Sequence, residues 1–157
     1  DEAIKAYDEA IRIDPEDAGA WYNKGNTLDT QGKHDEAINA YDEVIRIDPE
    51  FARAWSNKGR ALSDQGKYDE AIRAYDEAIR LDPELAGAWS NKGRALSKQG
   101  KYDEAIRAYD EAIRLDPEYV WAWYNKGSAL KNLGKYDEAF RAFEEAIRLD
   151  PEMNMVQ

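Results

Sequence analysis

The sequence of 157 residues contains no cysteine and only one histidine. The absence of cysteine excludes disulfide frameworks, thiolate nucleophiles and cysteine-ligated zinc or iron–sulfur centres. No apolar run approaches the ~18 residues that a membrane-spanning helix needs, and no glycine-rich phosphate-binding loop is present. No residues show the spacing of a nucleophile with its base or of metal ligands. We therefore predict a protein that is not an enzyme, with no cofactor and no metal.

Acidic residues outnumber basic ones, and the formal net charge is −11. This balance disfavours nucleic acids and anionic membranes as partners. The recurrent Asp-Glu pairs stand at predicted helix starts, where acids interact with the helix dipole far more often than they catalyse reactions. The lack of cysteine, of a signal peptide and of a membrane span favours a cytoplasmic location. The chain opens in the middle of a repeat and without methionine, so we expect a fragment of a longer protein.

The sequence is dominated by repetition. The stretch "GKYDEAIRAYDEAIRLDPE" covers residues 66–84 and occurs again, unchanged, at 100–118, which is 34 residues later. A fixed period of this length predicts a solenoid of stacked units. In each unit the apolar spacing predicts two helices, for example at 53–65 and at 69–81, separated by a glycine. A recurring glycine inside the first helix, such as Gly59, indicates that a backbone or a large ring packs closely there.

Each repeat carries its landmark residues at a spacing that resembles the tetratricopeptide repeat family. In repeat two they are Trp55, Gly59, Leu62, Gly66, Tyr68, Ala71, Tyr75, Ala78 and Pro83. The near-consensus pattern is similar to arrays of archaeal and bacterial members. The resemblance implies an all-α fold: an α-solenoid, a right-handed superhelix of antiparallel helix-turn-helix units whose first helices line a concave groove. We predict a single array over 1–157, with a leading second helix at 1–17, full repeats at 18–51, 52–85, 86–119 and 120–153, and a tail at 154–157.

The chain departs from the family pattern at two kinds of position. The residue before the mid-helix glycine is usually large and apolar in the family, but here it is lysine in every repeat: Lys24, Lys58, Lys92 and Lys126. We expect each lysine stem to pack while the ammonium reaches water. His34 stands where Tyr68, Tyr102 and Tyr136 stand in the other repeats.

The polar face of the first helices is the predicted peptide-binding groove. Its candidate residues combine asparagines, cations and aromatics, which suit peptide backbone, carboxylates and apolar side chains, respectively. They are Tyr22, Asn23, Asn26, Arg53, Asn57, Arg60, Asn91, Arg94, Lys98, Trp121, Tyr124, Asn125 and Lys131.

Three features of this face allow a second interpretation. The first-helix halves are net positive and the second-helix halves net negative, which fits either a groove that attracts acidic peptides or neutralisation within the array. The asparagine column could hold a peptide or bond within and between repeats. Trp121 could contact a ligand or pack against a neighbouring repeat outside this sequence.

We accordingly predict a non-catalytic scaffold whose mildly basic, asparagine-lined groove binds a protein or peptide, with an acidic segment as one candidate. The alternative is a structural spacer, or a self-associating array whose bare end faces mediate assembly. Some family members clamp the acidic tail of a chaperone with two asparagines and three cations. In this chain Asn26 and Asn57 match, but Tyr22, Gly87 and Asn91 replace the cations, so that specificity is not predicted.

Overall fold

The computed structural model describes residues 1–155, and the end of the predicted tail lies outside them. Within this range the chain forms nine α-helices and no strand, so the predicted all-α class is confirmed. Their bounds are α1 Glu2–Ile13, α2 Ala18–Thr30, α3 His34–Ile47, α4 Ala52–Asp64, α5 Tyr68–Leu81, α6 Ala86–Lys98, α7 Tyr102–Leu115, α8 Val120–Asn132 and α9 Tyr136–Leu149, followed by a short 3₁₀ helix at Pro151–Met155. None of these helices is long and apolar enough to cross a membrane.

The helices are distributed over two compact units. Unit 1 is Asp1–Pro83, and unit 2 begins at Glu84. In unit 1, α2 packs on α3 and α4 on α5, while α1 contacts α2 and α3 contacts α4. In unit 2, α6 packs on α7 and α8 on α9, while α7 contacts α8. The first helices of neighbouring repeats also touch within each unit, α2 with α4 and α6 with α8.

Proline and glycine set the helix ends that the sequence predicts. α3 ends before Asp48, whose extended backbone precedes Pro49, because the residue before proline avoids helical angles. Gly66 has a φ of +76° after α4, a left-handed conformation that glycine adopts without steric cost. The backbone N–H of Lys67 then donates to the carbonyl of Leu62 at 2.9 Å.

The mid-helix glycines bring the two helices of each pair together. A Cβ added at Gly93 would lie 2.6 Å from Cε1 of Tyr109, whose ring is buried. The same contact joins Gly25 to Tyr41 in unit 1, and Gly127 faces Phe143. The expectation that a large ring packs on these glycines is confirmed.

The lysines before these glycines do not release their ammonium groups into water as expected. In repeat two, Lys58 Nζ lies 5.6 Å from the centre of the Trp55 ring and 2.6 Å from a carboxylate oxygen of Asp42 on α3. The indole N–H of Trp55 donates to the carbonyl of Pro49. The ion pair therefore attaches α4 to α3, and the indole hydrogen bond attaches it to the loop between them. The cation–π contact joins Lys58 to Trp55 within α4.

Replacing Gly93 by alanine should destabilise the protein, although alanine favours helix formation. The added methyl must displace the rigid Tyr109 ring, which costs about 1–3 kcal/mol for overpacking against a gain of about 1 kcal/mol in helix propensity. Urea unfolding followed by circular dichroism measures the difference. Gly87→Ala is the matched control in the same helix, because nothing lies within 4 Å of its added Cβ. A Gly93→Ala protein as stable as the Gly87→Ala protein would contradict the packing argument.

Candidate functional site

The asparagines of unit 1 hydrogen-bond to partners within that unit. Asn57 Nδ2 donates to Asn26 Oδ1 at 2.9 Å and to the Tyr22 hydroxyl at 3.0 Å. The Tyr41 hydroxyl also donates to Asn26 Oδ1, at 2.8 Å. α2, α3 and α4 are thus joined by one polar network, and Tyr22 contributes its ring to the core against Phe51 and Tyr41.

An ionic cluster lies on the same three helices. Arg60 donates from Nε and Nη2 to Asp29 Oδ2, at 3.0 and 2.8 Å. His34 Nδ1 lies 2.8 Å from the other oxygen, Asp29 Oδ1. The Asp29 side chain is only 5% exposed, so its negative charge is held by a histidine and an arginine away from bulk water.

This cluster changes the protonation behaviour of its neighbours. Burial alone lowers the pKa of Arg60, but the hydrogen bonds and the charge of Asp29 outweigh it, so the net shift is upward. Burial raises the pKa of Tyr41, and the nearby negative charge of Asp29 raises it further. Arg60 therefore stays cationic and Tyr41 stays neutral across the physiological range.

Unit 2 has an open cavity at the corresponding place. Two repeats later, Ser97 replaces Asp29 and Ser128 replaces Arg60. The smaller side chains leave a cavity of about 460 Å³ where unit 1 holds its ionic cluster. Its lining is Arg94, Ser97, Lys98, Tyr102, Tyr109, Asn125, Ser128, Ala129 and Asn132. This lining carries two cations and no carboxylate.

A second cavity of unit 2, of about 330 Å³, shares two of these residues. It is lined by Ser90, Asn91, Arg94, Tyr119, Trp121 and Asn125. Trp121 is 59% exposed and meets the Tyr124 ring edge-on at 5.9 Å. Arg94 is exposed, and neither cavity brings a carboxylate to it, in contrast to Arg60. Arg94 and Asn125 therefore line both cavities.

The structure thus divides the sequence-predicted site residues into three groups. In unit 1, Tyr22, Asn26, Asn57 and Arg60 are engaged with one another or with Asp29. In unit 2, five of the predicted residues line the two cavities: Asn91, Arg94, Lys98, Trp121 and Asn125. The third group is exposed and comprises the four remaining residues: Asn23, Arg53, Tyr124 and Lys131.

Sequence reasoning missed Asp29 and His34 as members of a cluster. By repeat position, His34 is only a substitute for a recurring tyrosine, and Asp29 is one polar residue among many. The available signal was that both depart from the repeat at positions where another copy carries Ser97 and Tyr102. Two such departures five residues apart, at the two ends of one turn, indicate a local interaction.

Two models described as tetratricopeptide repeat match the chain: one at residues 1–50, 24–86 and 90–154, the other at 62–117. Among solved structures, a crystal structure of MamA is 27% identical, with a TM-score of 0.87 over 97% of this chain and 89% of that chain. A second MamA crystal structure is also 27% identical, with a TM-score of 0.84 over 98% of this chain and 84% of that chain. MamA 41-end from Desulfovibrio magneticus RS-1 is 23% identical, with a TM-score of 0.87 over 96% of this chain and 85% of that chain. This last likeness concerns the fold alone. No curated protein sequence gives a significant match.

The free energy of unfolding should fall as pH rises above about 10, where tyrosines of the unfolded chain lose their protons. Tyr41 has a raised pKa, so the folded state retains a proton that the unfolded state releases. Tyr41→Phe should remove up to about 1.4 kcal/mol per pH unit of this slope. Urea unfolding at several alkaline pH values measures it. Phenylalanine is compatible with the packing, since Phe143 holds the same position in repeat four.

The matched control for this experiment is Tyr136→Phe, because that ring is 68% exposed. It should keep the wild-type slope. Equal slopes in the wild-type and Tyr41→Phe proteins would show that burial of the Tyr41 hydroxyl does not hold its proton.

Proposed function

The chain belongs to the tetratricopeptide repeat family, whose fold supports a role as a protein-interaction scaffold, and on that premise we propose that it binds an extended, acidic peptide segment. The binding face is formed by the first helices, and its main site lies in unit 2. The observation that carries the proposal is that Arg94, together with Asn125, lines two neighbouring cavities. The linings of both cavities contain no carboxylate.

The lining of these cavities matches an acidic peptide group by group. Arg94 and Lys98 supply positive charge, which attracts carboxylates from a distance and pairs with them on contact. The Asn125 side-chain amide both donates and accepts, so it can hold a peptide backbone. The exposed Trp121 ring, with Tyr124 beside it, is an apolar anchor of the kind that dominates peptide interfaces.

The corresponding place in unit 1 supports this assignment, because a carboxylate of the protein itself already pairs with the arginine there. Asp29 occupies Arg60 with two hydrogen bonds to one oxygen. The unit therefore satisfies its own arginine and has less to offer an acidic ligand. We place Arg60, Asn26 and Asn57 among the residues that shape the groove, and Arg94, Lys98 and Asn125 among those that bind the peptide. The fold is typical of non-catalytic scaffolds, and we propose no catalytic activity.

Arg94→Ser should weaken binding of a short fluorescein-labelled peptide of alternating glutamate and leucine. Loss of a partly desolvated charge pair corresponds to about a tenfold rise in Kd, or about 1.4 kcal/mol. Fluorescence anisotropy titration measures the change. Serine is the natural residue at this repeat position in Ser128, so the variant should fold.

The matched control is Arg107→Ser, which removes the same charge from an exposed position on α7, outside both cavities. It should leave the Kd within about twofold, as expected for a screened surface charge. Equal losses of affinity in the two variants would show that the peptide is attracted by the net charge of the protein and not by Arg94 in particular. Absence of binding by the wild-type protein would overturn the proposal.

A second candidate function is self-association, and the exposed apolar face of α9 favours it. Tyr136 is 68% exposed and Phe140 63% exposed, and Ile147 continues the stripe. The matching face of α7 is covered by α8 in unit 2, since Ile106 packs against the cluster that contains Leu130. An equivalent surface on α9 can accept a helix from a second copy of the chain.

Phe140→Glu should abolish any concentration-dependent association, because a charge in an apolar contact costs several kcal/mol of desolvation. Sedimentation velocity over a range of concentrations measures it. Glu138→Gln, an exposed change on the opposite side of the same helix, should associate as the wild-type protein does. A wild-type protein that stays monomeric at every concentration would exclude this function.

A further inference from the structure

Three residues of unit 1 depart from the repeat and converge on one place. Each is a metal-ligating residue type, and at each position the other repeats carry residues that ligate metals poorly. Asp29 corresponds to Ser63, Ser97 and Lys131; His34 corresponds to Tyr68, Tyr102 and Tyr136; and Asp64 corresponds to Thr30, Lys98 and Asn132. The structure therefore places the only histidine of the sequence beside two carboxylates. No other set of corresponding repeat positions carries this combination of residues.

The geometry of the three side chains is compatible with a shared ion. One ligand atom from each of Asp29, His34 and Asp64 lies within 4.8 Å of the other two. The three residues come from different helices: Asp29 from the last turn of α2, His34 from the first residue of α3 and Asp64 from the last residue of α4. Both carboxylates thus stand at helix C-termini, where the dipole disfavours negative charge and a cation is stabilising.

We propose that Asp29, His34 and Asp64 form a binding site for a divalent transition-metal ion of the zinc type. One imidazole nitrogen and two carboxylate oxygens suit such an ion better than calcium or magnesium, which prefer shells of oxygen ligands. Water completes a four-coordinate shell. The site is independent of peptide binding in unit 2.

Arg60 is compatible with this ion because it uses a different oxygen of Asp29. Its guanidinium donates to Oδ2, whereas His34 Nδ1 lies 2.8 Å from Oδ1. Hydrogen bonds to a ligating carboxylate from outside the coordination shell are the usual way in which proteins orient it. Arg60 is therefore a positioning residue, and the face that the ion approaches is the one between Oδ1 and Nδ1.

Coordination requires only a small adjustment. Two ligand atoms bound at zinc distances in a tetrahedral shell are about 3.3 Å apart, so Oδ1 and Nδ1 must separate by roughly half an ångström from their hydrogen-bonded distance. The ion takes the place of the proton between them, and the neutral imidazole carries its proton on Nε2 instead. The exposed Asp64 carboxylate then closes onto the ion. Binding would connect α2, α3 and α4.

Isothermal titration of the protein with zinc chloride, in excess magnesium to saturate non-specific acidic sites, tests the proposal. The wild-type protein should bind a single high-affinity ion per chain and gain thermal stability. His34→Tyr and Asp64→Lys introduce residues that other repeats already carry at these positions, so both should fold. Each should weaken zinc affinity by about 10–100-fold and reduce the gain in Tm accordingly.

Cobalt provides a second readout that is independent of stability. Co²⁺ in the wild-type protein should give the visible absorption of a four-coordinate site with nitrogen and oxygen ligands, and His34→Tyr should lose it. Glu36→Gln, an exposed acidic residue near His34 on α3, is the control and should bind as the wild-type protein does. Equal zinc affinity in the wild-type and His34→Tyr proteins would show that zinc binds non-specifically among the 33 acidic residues of the sequence, and would overturn the proposal. Absence of zinc binding by the wild-type protein would overturn it as well.

Discussion

The contact between a mid-helix glycine and a buried aromatic ring sets the geometry of the helix pairs. Gly25, Gly59 and Gly93 face Tyr41, Tyr75 and Tyr109, with hypothetical Cβ distances below 3 Å. No other residue type permits this approach, since any side chain would displace the ring. The phenol ring fills the interior where larger aliphatic residues would otherwise be needed, and alanines occupy much of the remaining core. Because the same contact recurs, each helix pair begins from the same spacing.

With the spacing fixed, chemical differences are confined to the polar positions of the first helices. In unit 1 these positions hold Asp29 and Arg60, which pair with each other and fill the space between α2 and α4. In unit 2 the corresponding residues are Ser97 and Ser128, and the space is open. The same backbone thus presents an internally neutralised surface in one unit and a cationic cavity in the other. Repetition of the core permits this, because a polar change on the face does not disturb the glycine–tyrosine contact.

The sequence predicts the fold well because the residues that end and pair the helices act locally. Asp-Pro stops a helix by steric exclusion, and a glycine such as Gly66 closes one in a left-handed conformation; helices predicted at 53–65 and 69–81 lie at Ala52–Asp64 and Tyr68–Leu81. The candidate site is less predictable. Helical periodicity tells which face Arg60 occupies, but its partner Asp29 lies on another helix, 31 residues away. The Lys58 ammonium was likewise expected in water, because nothing local shows that Asp42 and the Trp55 ring converge on it.

These partners explain where the positive charge of the first helices is directed. Lys24, Lys58 and Lys126 pair with aspartates of the preceding second helices, so for them neutralisation within the array is the correct interpretation. Arg60 is neutralised too, by an aspartate on its own face.

Arg94 and Lys98 differ, because the cavity that they line contains no carboxylate. An acidic protein that neutralises these first-helix cations but leaves Arg94 and Lys98 on an open surface keeps a local positive potential within a negative field. For the acidic segment that we propose as ligand, such a potential would select where on the face it docks, which overall net charge could not do.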